Sequence, residues 1–143
     1  KRTYETVKYL LEVDSNPNEY TPDGDSILLG VTRMGYLSCV EILIYFHSEI
    51  QHQKKDGSYA LFVAIKNARF DISLLLLENG GNPDLIGPEG NNSLHISLHN
   101  NEAALSRLLT LYGANMEIKD NKQNPPSELA RREHRIRNLF PGF

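Results

Sequence analysis

Apolar residues recur along this chain in pairs of short stretches with helical spacing, set apart by polar loops, and the pairs return every 33 residues. Gly24, Gly57 and Gly90 keep that interval, and Leu28, Leu61 and Leu94 follow in the same phase. Leu10, Leu43, Leu76 and Leu109 form a column of four, with Tyr9, Ile42, Leu75 and Leu108 beside it, and neither needs a gap. Asn16, Asn82 and Asn115 hold the phase, Glu49 takes the remaining slot, and Pro17 and Pro83 lie two periods apart. Several columns agreeing on one interval identify an internal repeat.

Within the period DGSYALFVAIKNARFDISLLLLENGGNPD, the spacing predicts a first helix over about Ala60 to Asn67 and a second over about Phe70 to Glu78. Gly80 and Gly81 follow where a helix end wants a left-handed residue. Asn82 to Asn91 contains Pro83, Gly87, Pro88 and Gly90, which breaks a helix and suits a tight hairpin-like turn. A unit of two short helices cannot bury its apolar face alone, so neighbours must stack on a shared, elongated core. The predicted fold class is all-α, a solenoid of helix-turn-helix units joined by β-hairpin-like loops.

A turn and two helices in about 33 residues, with T-P-L-H-x-A opening the first helix, is the ankyrin pattern, and this sequence resembles that family. The corresponding segments are SILLGV from Ser26, YALFVA from Tyr59, NSLHIS from Asn92 and PPSELA from Pro125. Leu28, Leu61, Leu94, His95, Ala64 and Ala130 match it outright. The downstream pattern is better kept, in Gly35 with Ile42, Leu43 and Ile44, and in Leu108, Leu109, Gly113 and Ala114. The resemblance spans residues 1–143 as one domain: a partial repeat at 1–25, full repeats at 26–58, 59–91 and 92–124, and a capping repeat at 125–143. A terminal repeat must face water, as Arg131, Arg132, Arg135 and Arg137 do in sequence terms, with Leu139, Phe140 and Phe143 expected to pack back on the stack. The many asparagines and the drift from consensus are similar to ankyrin proteins of intracellular bacteria and large DNA viruses, which target host factors.

With 143 residues, 40% of them hydrophobic, the chain has apolar material for one folded domain. A formal net charge of −3 supplies no basic field for nucleic acid or an anionic membrane, so neither is an expected partner. No apolar run, Ile72 to Leu77 with Ser73 inside it included, comes near the ~20 residues that span a bilayer. Cys39 is the only cysteine, which fits a reducing compartment, cytoplasmic or nuclear, or a host cytosol for a secreted effector. Lys1 is not an initiator methionine, and the chain reads as a piece of something longer.

Candidate chemistry reduces to packing. Cys39 shares a column with Thr6, Ile72 and Leu105 and is expected to be buried as a small hydrophobe. His95 occupies the family's histidine position, where the resemblance implies a bond to the neighbouring loop backbone. His47 with His52, and His95 with His99, lack the third and fourth ligands that zinc requires. The glycines of the Gly80 to Gly90 region have no following Lys-Ser or Lys-Thr and are turn residues. Asp23 and Asp25 flank Gly24 on a turn, exposed rather than desolvated as a catalytic acid would be. No catalytic residue, cofactor or metal is expected. Acids outnumber bases over 1–50, eight to four, and basic residues outnumber acids over 120–143, five to three; a solvated cap, or the docking of an acidic segment or an anionic headgroup, would explain the basic end.

In a stack of this family, recognition falls to the turn tips and the exposed ends of the first helices, which the resemblance places on one concave face. Here these are Tyr20, Asp23 and Asp25, then Arg33 and Met34, then Gln53, Lys55, Asp56 and Ser58 with Tyr59. They continue through Lys66 and Asn67, then Ile86, Pro88, Glu89 and Asn91, then His99 and Asn100, ending at Lys119, Asn121, Lys122 and Asn124. Interface energy concentrates in aromatic, arginine and apolar anchors, which selects Tyr20, Arg33, Met34, Tyr59 and Ile86. Such a face offers about 600 to 1,000 Å² per partner. Mixed charge along the tips favours a protein partner, bound by a monomer, over a phosphate backbone. The expected function is protein–protein interaction within a larger protein. The alternatives are recruitment of substrate to a catalytic domain outside this chain, and a rigid spacer.

Overall fold

A computed structural model of the chain describes residues 2–12 and 15–132. The elements in order are α1 (Arg2–Glu12), α2 (Ile27–Met34), α3 (Leu37–Tyr45), α4 (Ala60–Lys66), α5 (Phe70–Glu78), α6 (Ser93–His99), α7 (Ala103–Leu111) and α8 (Pro126–Arg132). Helices of seven to eleven residues are marginal in isolation, so their stability comes from what they pack against. The second helix of the central pair spans Phe70–Glu78, and the first ends at Lys66 with Asn67 as its cap.

Two rows of helices result. First helices stack as α2, α4, α6 and α8, second helices as α1, α3, α5 and α7, and each of the pairs α2–α3, α4–α5 and α6–α7 packs internally. One continuous core threads through both rows. Leu43, Leu76 and Leu109 are fully enclosed, as are Val40, Ala64, Ile65 and Leu94. Leu10, in the same column, is 43% exposed because α1 has no first helix beside it among the described residues. Cys39 is buried at 2% exposure, and burial pushes its thiol pKa up, away from a reactive thiolate.

Both kinds of helix end on a left-handed residue, and the period shows there too. Gly35, Ala68 and Asn101 close the first helices, and His47, Gly80 and Gly113 the second ones. The following N–H reaches back to a helix carbonyl each time: Arg69 to Ala64 at 2.8 Å, Glu102 to Ser97 at 2.9 Å, Gly81 to Leu76 at 2.8 Å. Orphan carbonyls are satisfied in this way.

The asparagine column has a local cause. Asn16, Asn82 and Asn115 each accept the N–H two residues ahead, at 2.9, 2.9 and 2.8 Å, and so fold the entry to the next loop. A single isolated bridge, Tyr20 to Ser26, is the only β pairing among the described residues, so the expected hairpins are turns without strands. Arg135, Arg137, Leu139, Phe140 and Phe143 lie outside the described residues.

Candidate functional site

Four turn tips stand in register, at residues 21–25, 54–58, 87–91 and 120–124. In each, the first residue's N–H donates to the fifth residue's carbonyl: Thr21 to Asp25 at 2.9 Å, Lys54 to Ser58 at 2.8 Å, Gly87 to Asn91 at 2.8 Å and Asp120 to Asn124 at 3.1 Å. Successive tips are tied directly where the chemistry allows. Lys55 N–H donates to the Asp23 carbonyl at 3.2 Å, and Asn121 N–H to the Glu89 carbonyl at 3.1 Å. Between the second and third tips the donor position is Pro88, which has no N–H. There the Gln53 amide bridges instead, donating to Gly57 and Ile86 carbonyls at 2.9 and 2.8 Å. Gly57 explains why the tips sit so close: its φ is 93°, and a Cβ would lie 3.1 Å from the Gly87 carbonyl carbon.

A second periodic clamp holds neighbouring loops together. Asn18, Gln51 and Asp84 each accept a backbone N–H 31 residues ahead, from Glu49 at 2.7 Å, Asn82 at 3.1 Å and Asn115 at 2.8 Å. The amides of Asn18 and Gln51 also donate to the His47 and Gly80 carbonyls. A carboxylate cannot donate, and Asp84 instead accepts from the Asn92 amide at 3.4 Å, which also reaches the Asn115 carbonyl at 3.2 Å. These residues were not legible as a column because an amide and a carboxylate serve equally as acceptors.

His95 is fully buried and both ring nitrogens are committed. Nδ1 accepts Asn92 N–H at 3.0 Å, so Nε2 carries the proton and donates to the Asn124 carbonyl at 2.8 Å. Burial lowers its pKa, opposed by the Asn124 carbonyl and Asp120. Its role is to tie α6 to the fourth tip. Among the described residues no group of three His, Cys, Asp or Glu side chains comes together as a metal set.

Most of the expected contact residues lie on the surface formed by the tips and first helices. Tyr20, Met34 and Ile86 are 40%, 58% and 49% exposed. Tyr20 is held in place: its ring stacks on His52 at 3.8 Å, and its hydroxyl donates to Glu49 at 2.6 Å. Burial and the Glu49 carboxylate push that hydroxyl up to about 12. Asp23 pairs with Lys54 at 3.4 Å, and Asp25 with Arg33 at 3.6 Å. Lys55, Asp56, Lys66, Asn67, Glu89, His99 and Asn100 are exposed, and Ser58 is half-buried.

Two expected contacts are elsewhere. Tyr59 is not a surface anchor: it is fully enclosed, its hydroxyl donating to the Leu85 carbonyl at 2.8 Å and lying 3.0 Å from Ser93 Oγ. Its column explains this, since Ser26 and Asn92 cap their helices through side-chain oxygens and tyrosine cannot. The ring therefore turns inward against Phe62. Asn91 is only 8% exposed, and its amide donates to the Pro88 carbonyl while its side-chain oxygen has no partner.

Grooves run between successive units on this face. One of about 250 Å³ is edged by Arg33, Lys66 and the second tip over a floor of Phe62 and Val63. A larger one of about 800 Å³ lies between the third and fourth tips, edged by His99, Lys122 and Arg132 over Ile96 and Leu129. Both present charged rims over small apolar floors.

Residues 1–86 and 28–120 match the family described as Ankyrin repeats (3 copies). Ankyrin repeat protein L371 of Acanthamoeba polyphaga mimivirus is 29% identical over 119 residues, which covers 82% of this chain and 16% of that protein. Ankyrin repeat protein R664 of the same virus is 30% identical over 140 residues, covering 94% of this chain and 82% of its own length. The chain thus spans a small part of L371 and most of R664.

Proposed function

The chain belongs to the ankyrin repeat family, and from that premise we propose that it is an interaction module binding a partner protein through its tips and first-helix ends. Ankyrin repeats generally mediate protein–protein interaction. The observation that carries the finer reading is a division of labour. Core leucines, left-handed helix ends, the Asn18, Gln51 and Asp84 clamps and His95 all hold the stack together. The side chains of Arg33, Met34, Lys66, Ile86, Glu89 and His99, with the grooves between them, make no hydrogen bond or ion pair to the next unit among the described residues, whereas Tyr20, Asp23 and Gln53 also reach the next unit. Tyr20, Arg33, Met34 and Ile86 are the anchors, and catalysis is no part of the role. L371 is much longer than the matched region, and a longer protein's activity is a separate matter from what these repeats bind.

Capture of partners from an amoebal lysate tests the proposal, the source following from the mimiviral relatives. The double variant Arg33→Glu/Lys66→Glu should lose the captured protein, whereas Glu41→Lys/Arg107→Glu, on exposed second-helix positions, should retain it. Equal capture by both variants would exclude the tip and first-helix face.

A further inference from the structure

The last turn of each first helix carries a basic side chain at the same register: Arg33 in α2, Lys66 in α4, His99 in α6 and Arg132 in α8. All four are exposed, and their helices stack in that order, so they form one row across the molecule. A helix C-terminus favours a positive charge anywhere in its final turn; it does not require one column. The first three tips form a parallel row of opposite sign, Asp23, Asp56 and Glu89, which ends at Lys122 in the fourth.

Internal pairing occupies the two ends of the basic row, Arg132 being held by Glu128 at 3.3 Å, and leaves its middle. Arg33 has Asp25 at 3.6 Å, but the residues equivalent to Asp25 are Ser58 and Asn91. Lys66 and His99 consequently have no ion pair among the described residues, and each lines a groove. Asn91 lines the larger groove with an amide oxygen that no donor reaches.

Stacked helices are about 8–10 Å apart. A polyproline II segment returns to the same edge every third residue, about 9.3 Å along, whereas same-side residues of a β-strand are about 6.6–6.8 Å apart. An α-helix with an acid at every seventh residue advances about 10.5 Å, beyond the upper end of that spacing.

Resting on the interaction face proposed above, we infer that this face takes one extended segment of a partner protein in polyproline II conformation. A carboxylate at every third residue faces the row of Arg33, Lys66, His99 and Arg132. Basic residues on the adjoining edge of the segment face Asp23, Asp56 and Glu89.

The test uses a dye-labelled peptide of four Glu-Pro-Lys repeats, titrated with the whole chain and read by fluorescence anisotropy. It should bind more tightly than a scrambled peptide of equal composition, a helical peptide with Glu at every seventh position, and a single-stranded oligonucleotide of similar length. Lys66→Glu should weaken it by up to about fivefold, as loss of an ion pair worth up to ~1 kcal/mol implies, while Lys66→Arg should not; circular dichroism checks that both fold. A scrambled, helical or oligonucleotide probe binding as tightly overturns the inference. So does indifference to Lys66→Glu. If no peptide binds but lysate capture is still lost in Arg33→Glu/Lys66→Glu, the segment is wrong and the face stands; if capture is also unaffected, both fall.

Discussion

At the scale of single residues, the repeat imposes backbone geometry that particular side chains tolerate at a cost. Ala68 holds a φ of 54° at a position where Gly35 sits in the preceding unit. Left-handed backbone costs a non-glycine residue roughly 1–2 kcal/mol, part of which glycine's greater chain entropy offsets. Ala68→Gly is therefore expected to stabilise the chain by about 0.5–1 kcal/mol, a rise of about 2–4 °C in thermal midpoint, measurable by calorimetry. His95 gives a second prediction. Its ring must be neutral to accept from Asn92 and donate to Asn124, and burial holds its pKa below the ordinary histidine value. The unfolded chain binds a proton near pH 6.5, the folded one only lower. The contribution is thus complete above about pH 6.5 and is lost as pH falls toward the folded value. Thermal midpoints should drop between pH 7.5 and 5.5, and the drop should shrink in His95→Gln; an unchanged drop would assign it to other groups.

Elements stay in register through groups that repeat in function more than in identity. Gln51 both accepts from Asn82 N–H and donates to the Gly80 carbonyl. Gln51→Ala should cost about 1 kcal/mol and speed hydrogen exchange at the Asn82 amide, with amides inside α4 little changed. What the sequence revealed follows the same division. The 33-residue period was readable because Gly57, Gly90 and the leucine column must be those residues, for turn geometry and enclosed volume. The clamp of Asn18, Gln51 and Asp84 was not, because different side chains make the same bond. Tyr59 misled for a related reason: an aromatic next to a polar turn resembles a contact residue, and only its place in a column of helix caps shows that it must turn inward. Asn91 was misplaced because the tip curls its fifth residue under Pro88.

For the whole molecule, the chain is two rows of helices around one core, and neighbours depend on one another for burial. No helix among the described residues is long and apolar enough to cross a membrane. The tips and first-helix ends are the surface proposed to meet a partner, and the sequence already placed most of those residues at the tips and helix ends; the grooves, Lys66 and His99 without an ion pair among the described residues, and the missing tie at Pro88 emerge only once the units are stacked. The central claim is that stacking and recognition use different surfaces. Hydrogen exchange of the chain, with and without the protein it captures, tests this most directly. Protection should appear at residues 21–25, 54–58 and 87–91 and at the ends of α2, α4 and α6, with α3, α5 and α7 unchanged; protection confined to the second helices would contradict it.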